Sequence, residues 1–340
     1  MLPSPVRMHL KSFLGTALWP FPTSIATSCL LGRYQGLVLT FHYIGSPVLR
    51  GVGEDLFVPL PEFRRILDFV AARLTPLGPF EFFERMTAGT LPKRATLLTF
   101  DDCLHDTIAQ AMPEFAKRGL QGCFFACPGL IAADRTVPSL ELMWMCANAR
   151  PGPYRIRTTP AGSPLAEFEI GGHESRIAAY RQLWPELLRC PSRNHGSLLA
   201  GMREDFQLPR ALPRRLRLAN WSTLASMQQH GMLVGNHTML HSTVTADGIA
   251  QFETDVALAY DLIEGRLGRQ TRVFCYPYGR KADQEQGTEA VLRQLGTNFA
   301  FVTQGGIASP RRGGCLNLHR EDASYSVHAT KLAPLLAFLR

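Results

Sequence analysis

Two carboxylates stand side by side where an apolar run ends. The run Leu97–Phe100 leads directly into Asp101 and Asp102. Such a run is typical of a buried strand whose C-terminal end delivers its last residues into a cleft. Neighbouring strand residues point to opposite faces, so one carboxylate can bind a metal while the other accepts a proton. An Asp pair can equally cap the helix that follows, and this stretch alone favours neither interpretation.

Two histidines spaced four residues apart form a second candidate. His237 and His241 follow another short apolar segment, and in a helix this spacing places both imidazoles on one face. Such a pair recurs as half of a divalent-metal site, although an isolated pair is more often incidental. Strand ends converge at one edge of a parallel α/β sheet. Asp102, His237 and His241 would then form a two-histidine, one-carboxylate metal site with open positions.

The elements that must position these residues alternate as in a parallel α/β fold. The predicted strands are 36–43, the run up to 100, 121–126, 231–235, 273–276 and 299–303, and the predicted helices are 61–72, 108–117, 221–227, 248–267 and 289–295. Residues 132–220 contain several prolines, clustered arginines and two amphipathic stretches, which indicate a helical insertion. A last strand within 307–321 and a terminal helix over 330–339 are also expected.

Composition limits the partners. The 340 residues are 46% hydrophobic and 19% charged, with a net charge of +8, which is an ordinary balance for a globular chain. The densest basic cluster, Arg210–Arg217, lacks the aromatic residues that interleave in single-strand binders. We therefore expect a solvated face or a site for an anionic group there, and no nucleic-acid partner.

The cysteines and the N-terminal segment bear on location. None of the eight cysteines forms a CxxC pair, which argues against a zinc ribbon and favours a reducing compartment. Residues 1–35 form a basic leader whose amphipathic part, 8–19, is too short to span a bilayer and lacks a clean cleavage site. A docking helix or membrane-surface contact is predicted, in a cytoplasmic protein at the membrane surface; export is the alternative.

In combination, the motifs resemble the polysaccharide deacetylase family, which is NodB-like and known as carbohydrate esterase family 4. The resemblance covers most of 36–303 apart from the insertion. Its first motif is Thr99–Asp102, and the N-terminal strand ending in His42 and Tyr43 is similar to the permuted motif of poly-N-acetylglucosamine deacetylases. The other matching positions are Trp221, Gly231, Gly235, Asn236, His237, Thr238, His241, the run Tyr276–Gly279 and the late strand through Thr303.

The resemblance implies a distorted (β/α) barrel of about seven strands, against the usual eight, over 36–340 with its insertion at 132–220. It also implies a metal-dependent carbohydrate N-deacetylase that hydrolyses the N-acetyl amide of an amino sugar. By position, Asp101 is the general base, His42 the general acid, and the Tyr278 backbone N–H holds the oxyanion. The implied metal ligands are Asp102, His237 and His241. Their donor set suits zinc and also admits cobalt, nickel or iron.

Cys103, the pair Cys275 and Tyr276, and the insertion at 132–220 depart from the family pattern. Cys103 stands where the family usually has glycine. Cys275 and Tyr276 replace an Arg-Pro pair, so the guanidinium that usually orients the base is missing, and Arg320 or Arg280 is the candidate substitute. His319 competes with His42 for the role of the acid.

The same cleft and Asp pair admit two other functions. A catalytically silent carbohydrate-binding relative would use the cleft without turnover, and turnover on an acetylated amino sugar discriminates it from the enzyme. A phosphoaspartate-type hydrolase needs a second Asp two positions after the nucleophile, but position 103 is Cys. The predicted substrate contains an amino sugar, as a small glycoside, a nucleotide sugar, a lipid-linked sugar or a polymer.

Overall fold

The computed structural model describes residues 35–45, 49, 51–53, 56–157, 164–209, 211–279, 287–310 and 314–323. The predicted docking helix over 8–19, the predicted terminal helix over 330–339 and Arg280 lie outside the described residues. Among the helices that the structure describes, none combines the length and the apolar character needed to cross a bilayer.

A curled parallel sheet forms the centre of the fold. The strands are β1 Leu37–Phe41, β2 Tyr43–Ile44, β3 Phe57–Val58, β4 Thr75–Pro76, β5 Ala95–Phe100, β6 Gly122–Ala126, β7 Gly152–Arg157, β8 Pro164–Ile170, β9 Leu233–Asn236, β10 Val273–Cys275, β11 Phe299–Phe301 and β12 Glu321–Asp322. The main sheet has the order β11-β10-β9-β6-β5-β1-β12, and β4 also pairs with β5. Its described pairings are all parallel, as the alternating pattern predicts.

Helices follow most of these strands. They are α1 Leu60–Arg73, α2 Pro79–Ala88, α3 His105–Arg118, α4 Pro128–Ala132, α5 Pro138–Asn148, α6 His173–Arg189, α7 His195–Asp205, α8 Trp221–Gln229, α9 Val244–Asp247, α10 Ile249–Leu267 and α11 Thr288–Gln294. In α1 the buried apolar stripe includes Phe63, Ile66, Leu67 and Val70, as predicted.

A short C-terminal segment joins the two ends of the sheet. Leu318 exchanges backbone hydrogen bonds with the end of β11, accepting from Val302 N at 2.9 Å and donating to Ala300 O at 2.8 Å. Three residues further on, β12 pairs in parallel with β1. The seven-strand path is therefore curled as in a distorted (β/α) barrel, which confirms the predicted fold class.

Stacked phenylalanines pack across three adjacent strands at the C-terminal end of β5, directly before Asp101. Phe41, Phe100 and Phe124 are register partners on three adjacent strands. The ring centroids of Phe41 and Phe100 lie 5.1 Å apart, and those of Phe100 and Phe124 lie 4.6 Å apart. All three rings are buried. Large buried aromatic side chains supply much of a core's packing energy, so this row anchors the strand end that carries Asp101.

The insertion is not purely helical, contrary to the prediction. Besides α5, α6 and α7 it contains an antiparallel ribbon of β7 and β8. Several side chains of β7 are exposed or half-buried, so the apolar alternation that marks a strand in sequence is weak there. The insertion buries its own apolar cluster, which includes Leu140, Met145, Leu183, Leu199 and Phe206.

Candidate active site

The two carboxylates leave the end of β5 in different directions. Asp101 continues the strand, since its backbone N donates to Phe41 O at 3.0 Å. Asp102 and Cys103 both have left-handed backbones, with φ of 68° and 53°. The sharp turn at Asp102 thus separates the two carboxylates. The left-handed φ at position 103 also accounts for a family preference for glycine there. The Cys103 thiol is buried and donates to Phe125 O at 3.4 Å.

The two histidines lie on a loop and not on a helix. Thr238 and His241 have left-handed φ values of 64° and 60°, so helical spacing is the wrong reason for their proximity. Polar side chains hold the loop: Asn236 Oδ1 accepts from Thr238 N at 2.8 Å. Asp255 accepts hydrogen bonds from the Met239 backbone N and the Ser242 hydroxyl. Such local side-chain bonds offer the backbone an alternative to a helix.

The loop brings both imidazoles to Asp102. Asp102 Oδ1 lies 3.5 Å from His237 Nε2 and 3.4 Å from His241 Nε2. His237 Nδ1 lies 2.8 Å from Cys275 O. A protonated Nδ1 there donates to the carbonyl and leaves the Nε2 lone pair facing Asp102, an orientation common in metal-binding histidines. All three side chains are buried, with 1–4% exposure.

This group fits a divalent cation. Asp102 Oδ1 is buried and has no hydrogen-bond partner among the described residues, a costly state for a carboxylate oxygen unless a cation is bound. Burial lowers the pKa of His241 well below its usual value, and the neighbouring His237 adds to this effect. A neutral imidazole is the form that binds metals. Two imidazoles and one carboxylate would supply a site with open positions.

Tyr43 completes the surroundings of Asp102. Its hydroxyl donates to Asp102 Oδ2 at 2.8 Å. Burial and the Asp102 charge raise the pKa of Tyr43 well above its usual value, so it remains a donor. Burial also raises the pKa of Asp102, against the opposing charge of His237. The Tyr43 hydrogen bond orients the carboxylate so that Oδ1 faces the two imidazoles.

Arg320 holds the other carboxylate. Its Nη1 and Nη2 donate to the two oxygens of Asp101 at 2.8 and 2.7 Å, and Nη1 also lies 3.2 Å from Thr99 Oγ1. Arg320 is fully buried, and its guanidinium carbon lies 5.6 Å and 6.0 Å from the ring centroids of Phe125 and Phe301. Burial alone would raise the pKa of Asp101, but the Arg320 charge and hydrogen bonds outweigh it and hold that pKa well below its usual range.

Cys275 contacts both members of this pair. Arg320 Nη2 donates to Cys275 Sγ at 3.0 Å, and the thiol lies 3.6 Å from Asp101 Oδ2. Burial raises the pKa of the Cys275 thiol well above its usual value, so the thiol stays protonated. Asp101, His237 and Cys275 could also hold an ion by their spacing, but the adjacent Arg320 cation opposes one. The small side chain at position 275 thus accommodates a guanidinium that comes from position 320.

The two candidate acids lie in different places. His42 Nε2 is 3.8 Å from Asp101 Oδ2, and its side chain is 18% exposed. Its Nδ1 is buried and has no hydrogen-bond partner in the part of the chain that the structure describes. His319 Nδ1 lies 3.3 Å from Gly305 O. The structure therefore brings His42, and not His319, to Asp101.

Tyr278 lies over the histidine loop in a tight turn, Pro277–Gly279, in which its own backbone is not helical. Its φ is 58°, and its ring centroid is 4.3 Å from that of His241. Gly279 is required beside it, because a Cβ there would meet Thr303 Oγ1 at 1.6 Å. Trp184, from insertion helix α6, packs edge-to-face on Tyr278 with centroids 5.0 Å apart. Sequence reasoning missed Trp184, since no motif surrounds it.

Comparisons with known proteins agree with this arrangement. The family model described as polysaccharide deacetylase matches residues 199–300, which include the histidine loop and Tyr278 but neither Asp101 nor Arg320. No curated protein matches the sequence.

Several solved structures share the fold over most of the chain. The Streptococcus pyogenes deacetylase PplD, solved with acetate, is 16% identical with a TM-score of 0.57, covering 88% of this chain and 97% of its own. IcaB from Ammonifex degensii is 18% identical with a TM-score of 0.54, covering 90% and 97%. BC0361, a polysaccharide deacetylase from Bacillus cereus, is 14% identical with a TM-score of 0.52, covering 90% and 69%.

The chain has the fold of these solved structures. Over residues 199–300, its sequence is similar to the polysaccharide deacetylase family.

Proposed function

We propose that this protein hydrolyses the N-acetyl amide of an amino sugar in a polysaccharide or a sugar conjugate, with a divalent metal. One observation carries the proposal: a buried Asp102–His237–His241 group lies beside a carboxylate, Asp101, that Arg320 holds in place. Metal ligands next to an oriented base are an arrangement suited to metal-assisted hydrolysis of an amide by water.

Asp102, His237 and His241 would hold the metal. When bound, it would supply Lewis acidity, which polarises the amide carbonyl and lowers the pKa of water. The donor set favours zinc, with cobalt, nickel or iron as compatible ions. Tyr43 and the Cys275 carbonyl orient Asp102 and His237 respectively, a role that outer hydrogen-bond partners play in many metal sites.

Asp101 accepts the proton of the attacking water in this proposal. Its low pKa keeps it ionised at neutral pH, and the two hydrogen bonds from Arg320 fix its orientation. A carboxylate of low pKa does not retain the proton, so it passes the proton on readily. His42, 3.8 Å from Asp101 Oδ2, is placed to donate a proton to the leaving amine.

The Tyr278 backbone N–H is proposed to donate to the oxyanion. The left-handed turn at Tyr278 places its ring 4.3 Å from His241, which brings this backbone segment next to the metal ligands. A backbone donor aimed at developing negative charge is the usual means of stabilising such an intermediate.

A silent carbohydrate-binding role is less well supported. Its main argument is the loss of the guanidinium at position 275, and Arg320 supplies one at the same carboxylate.

A cytoplasmic location at the membrane surface, through the leader 1–35, remains a proposal that fractionation of cells carrying the full and the leader-deleted chain would test.

The direct test is acetate release from N-acetylglucosamine oligomers by the zinc-loaded protein. The wild type should release acetate and form free amine in equal amounts, and Asp101→Asn should reduce kcat by at least about 100-fold, as expected for loss of a general base. His230→Gln, on the exposed end of α8, is the matched control. Equal rates for the wild type and Asp101→Asn would contradict the proposal.

A further inference from the structure

A cavity lies within the insertion, and its lining includes neither Asp101 nor Asp102. Its volume is about 340 Å³, at the lower end of the range of about 300–1,000 Å³ found for small-molecule sites. Three arginines line it, Arg135, Arg203 and Arg217, together with Thr136 and two carboxylates, Asp134 and Glu141. The last arginine belongs to the basic cluster that the sequence marks as a candidate site for an anionic group.

The arginines differ in their partners. Arg203 pairs with Glu141, and Arg217 Nη1 lies 3.4 Å from Asp134 Oδ2. Arg135 has no side-chain ion pair within the described ranges, and its Nη2 atom is buried without a hydrogen-bond partner. The cavity therefore contains one guanidinium whose charge no described carboxylate neutralises.

The position of Arg135 makes this lack of a partner costly. A Cβ at Gly196 would lie 2.8 Å from Arg135 Nη1, so the guanidinium rests against the first turn of α7, His195–Asp205. No side-chain hydrogen bond caps this helix at Asn194. The N-terminal end of a helix carries a partial positive charge, which repels a cation and attracts an anion.

Thr136 adds a third polar group. Its side chain is fully buried, lines the same cavity, and its hydroxyl has no partner among the residues described. A buried hydroxyl and a buried guanidinium nitrogen, both without partners among the described residues, indicate a ligand with several acceptor oxygens. Phosphate is the anion that arginine, threonine and a helix N-terminus recognise together.

We propose that this cavity binds the phosphate group of a small molecule, with Arg135 as the main ligand and Thr136 as the second. The site is linked to the histidine loop: Arg135 N donates to Leu130 O at 2.9 Å, and Leu130 N donates to Met239 O at 3.2 Å. Met239 lies between the two histidines in sequence. A phosphate bound here would lie against the segment that supports His241. The inference concerns binding and does not depend on the proposed deacetylase activity.

Calorimetric titration at constant ionic strength tests the proposal, with inorganic phosphate and N-acetylglucosamine 1-phosphate as separate ligands. The wild type should bind phosphate at one site per chain. Arg135→Gln should bind at least about tenfold more weakly, the factor for one charge-assisted hydrogen bond. Arg155→Gln is the matched control, because Arg155 is exposed on the ribbon and pairs with Glu167.

Thr136→Val retains the shape of the side chain and should also weaken binding, which keeps the test decisive if Arg135→Gln unfolds. Tighter binding of the sugar phosphate would identify a phosphorylated amino sugar as the source of the group, and equal affinity would identify free phosphate; both support the site. Absence of phosphate binding, equal affinity of wild type and both variants, or equal binding of acetate would overturn it.

Discussion

Arg320 donates two hydrogen bonds to Asp101 although the two residues are 219 positions apart. The segment that carries Arg320 joins β11 to β1, so the same few residues curl the sheet and orient the proposed base. Cys275 has a small side chain, which leaves room for this guanidinium. The cation beside Asp101 thus comes from the residue before β12, and not from β10, which ends at Cys275.

We expect Arg320→Met to change the pH profile of hydrolysis. The folded pKa of Asp101 is depressed in the wild type, so its active, ionised form is lost only as pH falls through that low value. Without the cation, burial raises the pKa of Asp101 above its usual value. An acidic limb should then appear at higher pH in kcat/KM, with a loss of about 10–100-fold at neutral pH.

Arg320→Lys is the control for charge. It keeps a cation but loses the two-pronged geometry, so kcat should fall while the acidic limb stays near its wild-type position. Circular dichroism must show that both variants fold, since removing one partner of a buried ion pair costs about 3–5 kcal/mol. Superimposable pH profiles for wild type and Arg320→Met would exclude the orienting role.

His42→Gln should reduce kcat by about 10²–10⁴-fold, the range for loss of a general acid. His319→Gln should leave kcat within about twofold of the wild type, because its ring lies by Gly305 and not at Asp101. Steady-state kinetics on the same oligomer would measure both. A larger effect at His319 than at His42 would reverse the assignment.

Trp184 provides a test of the insertion's contribution to substrate binding. Trp184→Ala should raise KM by about tenfold with little change in kcat. The Trp184 ring packs on Tyr278, which packs on His241, and in the proposed function these rings contact the sugar. Trp184→Phe should restore most of the affinity. Trp221→Phe, at the start of α8, is the control outside the site. An unchanged KM for Trp184→Ala would place the sugar elsewhere.

Asp255 should make stability depend on pH. Burial raises its pKa from 3.8 to about 6 in the folded chain. The folded state therefore binds the proton more tightly than the unfolded state does. The resulting stabilisation of the folded state is present below pH 3.8 and is lost as pH rises through about 6.

The change in the free energy of unfolding that Asp255 contributes amounts to about 3 kcal/mol for two pKa units. Asp255→Asn lacks this titration, so the difference in unfolding free energy, wild type minus variant, should fall between pH 4 and pH 7. Urea unfolding at the two pH values measures it. A difference that does not vary with pH would show that Asp255 does not titrate in this way.

The fold and the candidate ligands could be predicted because their signals are local. Apolar runs that end in polar residues marked β5 and β9, and the predicted fold class is confirmed. The histidine pair was selected for the wrong geometry, since a loop held by Asn236 and Asp255 brings the imidazoles together. Asp255 lies well outside the motif, on α10, so the spacing of the histidines gave no sign of that loop.

Long-range contacts were harder to predict. Arg320 was named only as one of two substitutes for the missing guanidinium, because its contact with Asp101 depends on how the sheet curls. The ribbon of β7 and β8 was missed because its exposed side chains weaken the alternation. Trp184 carries no sequence signal at all; only the packing of α6 places it against Tyr278.

Metal content tests the central claim most directly. Elemental analysis of the purified protein should find about one equivalent of a divalent transition metal, zinc by preference. His237→Ala/His241→Ala should lose it, while the matched double variant His105→Ala/His230→Ala, altered at two histidines outside the site, should keep it. Metal absent from the wild type even after soaking with zinc or cobalt, or retained equally by both double variants, would contradict the account.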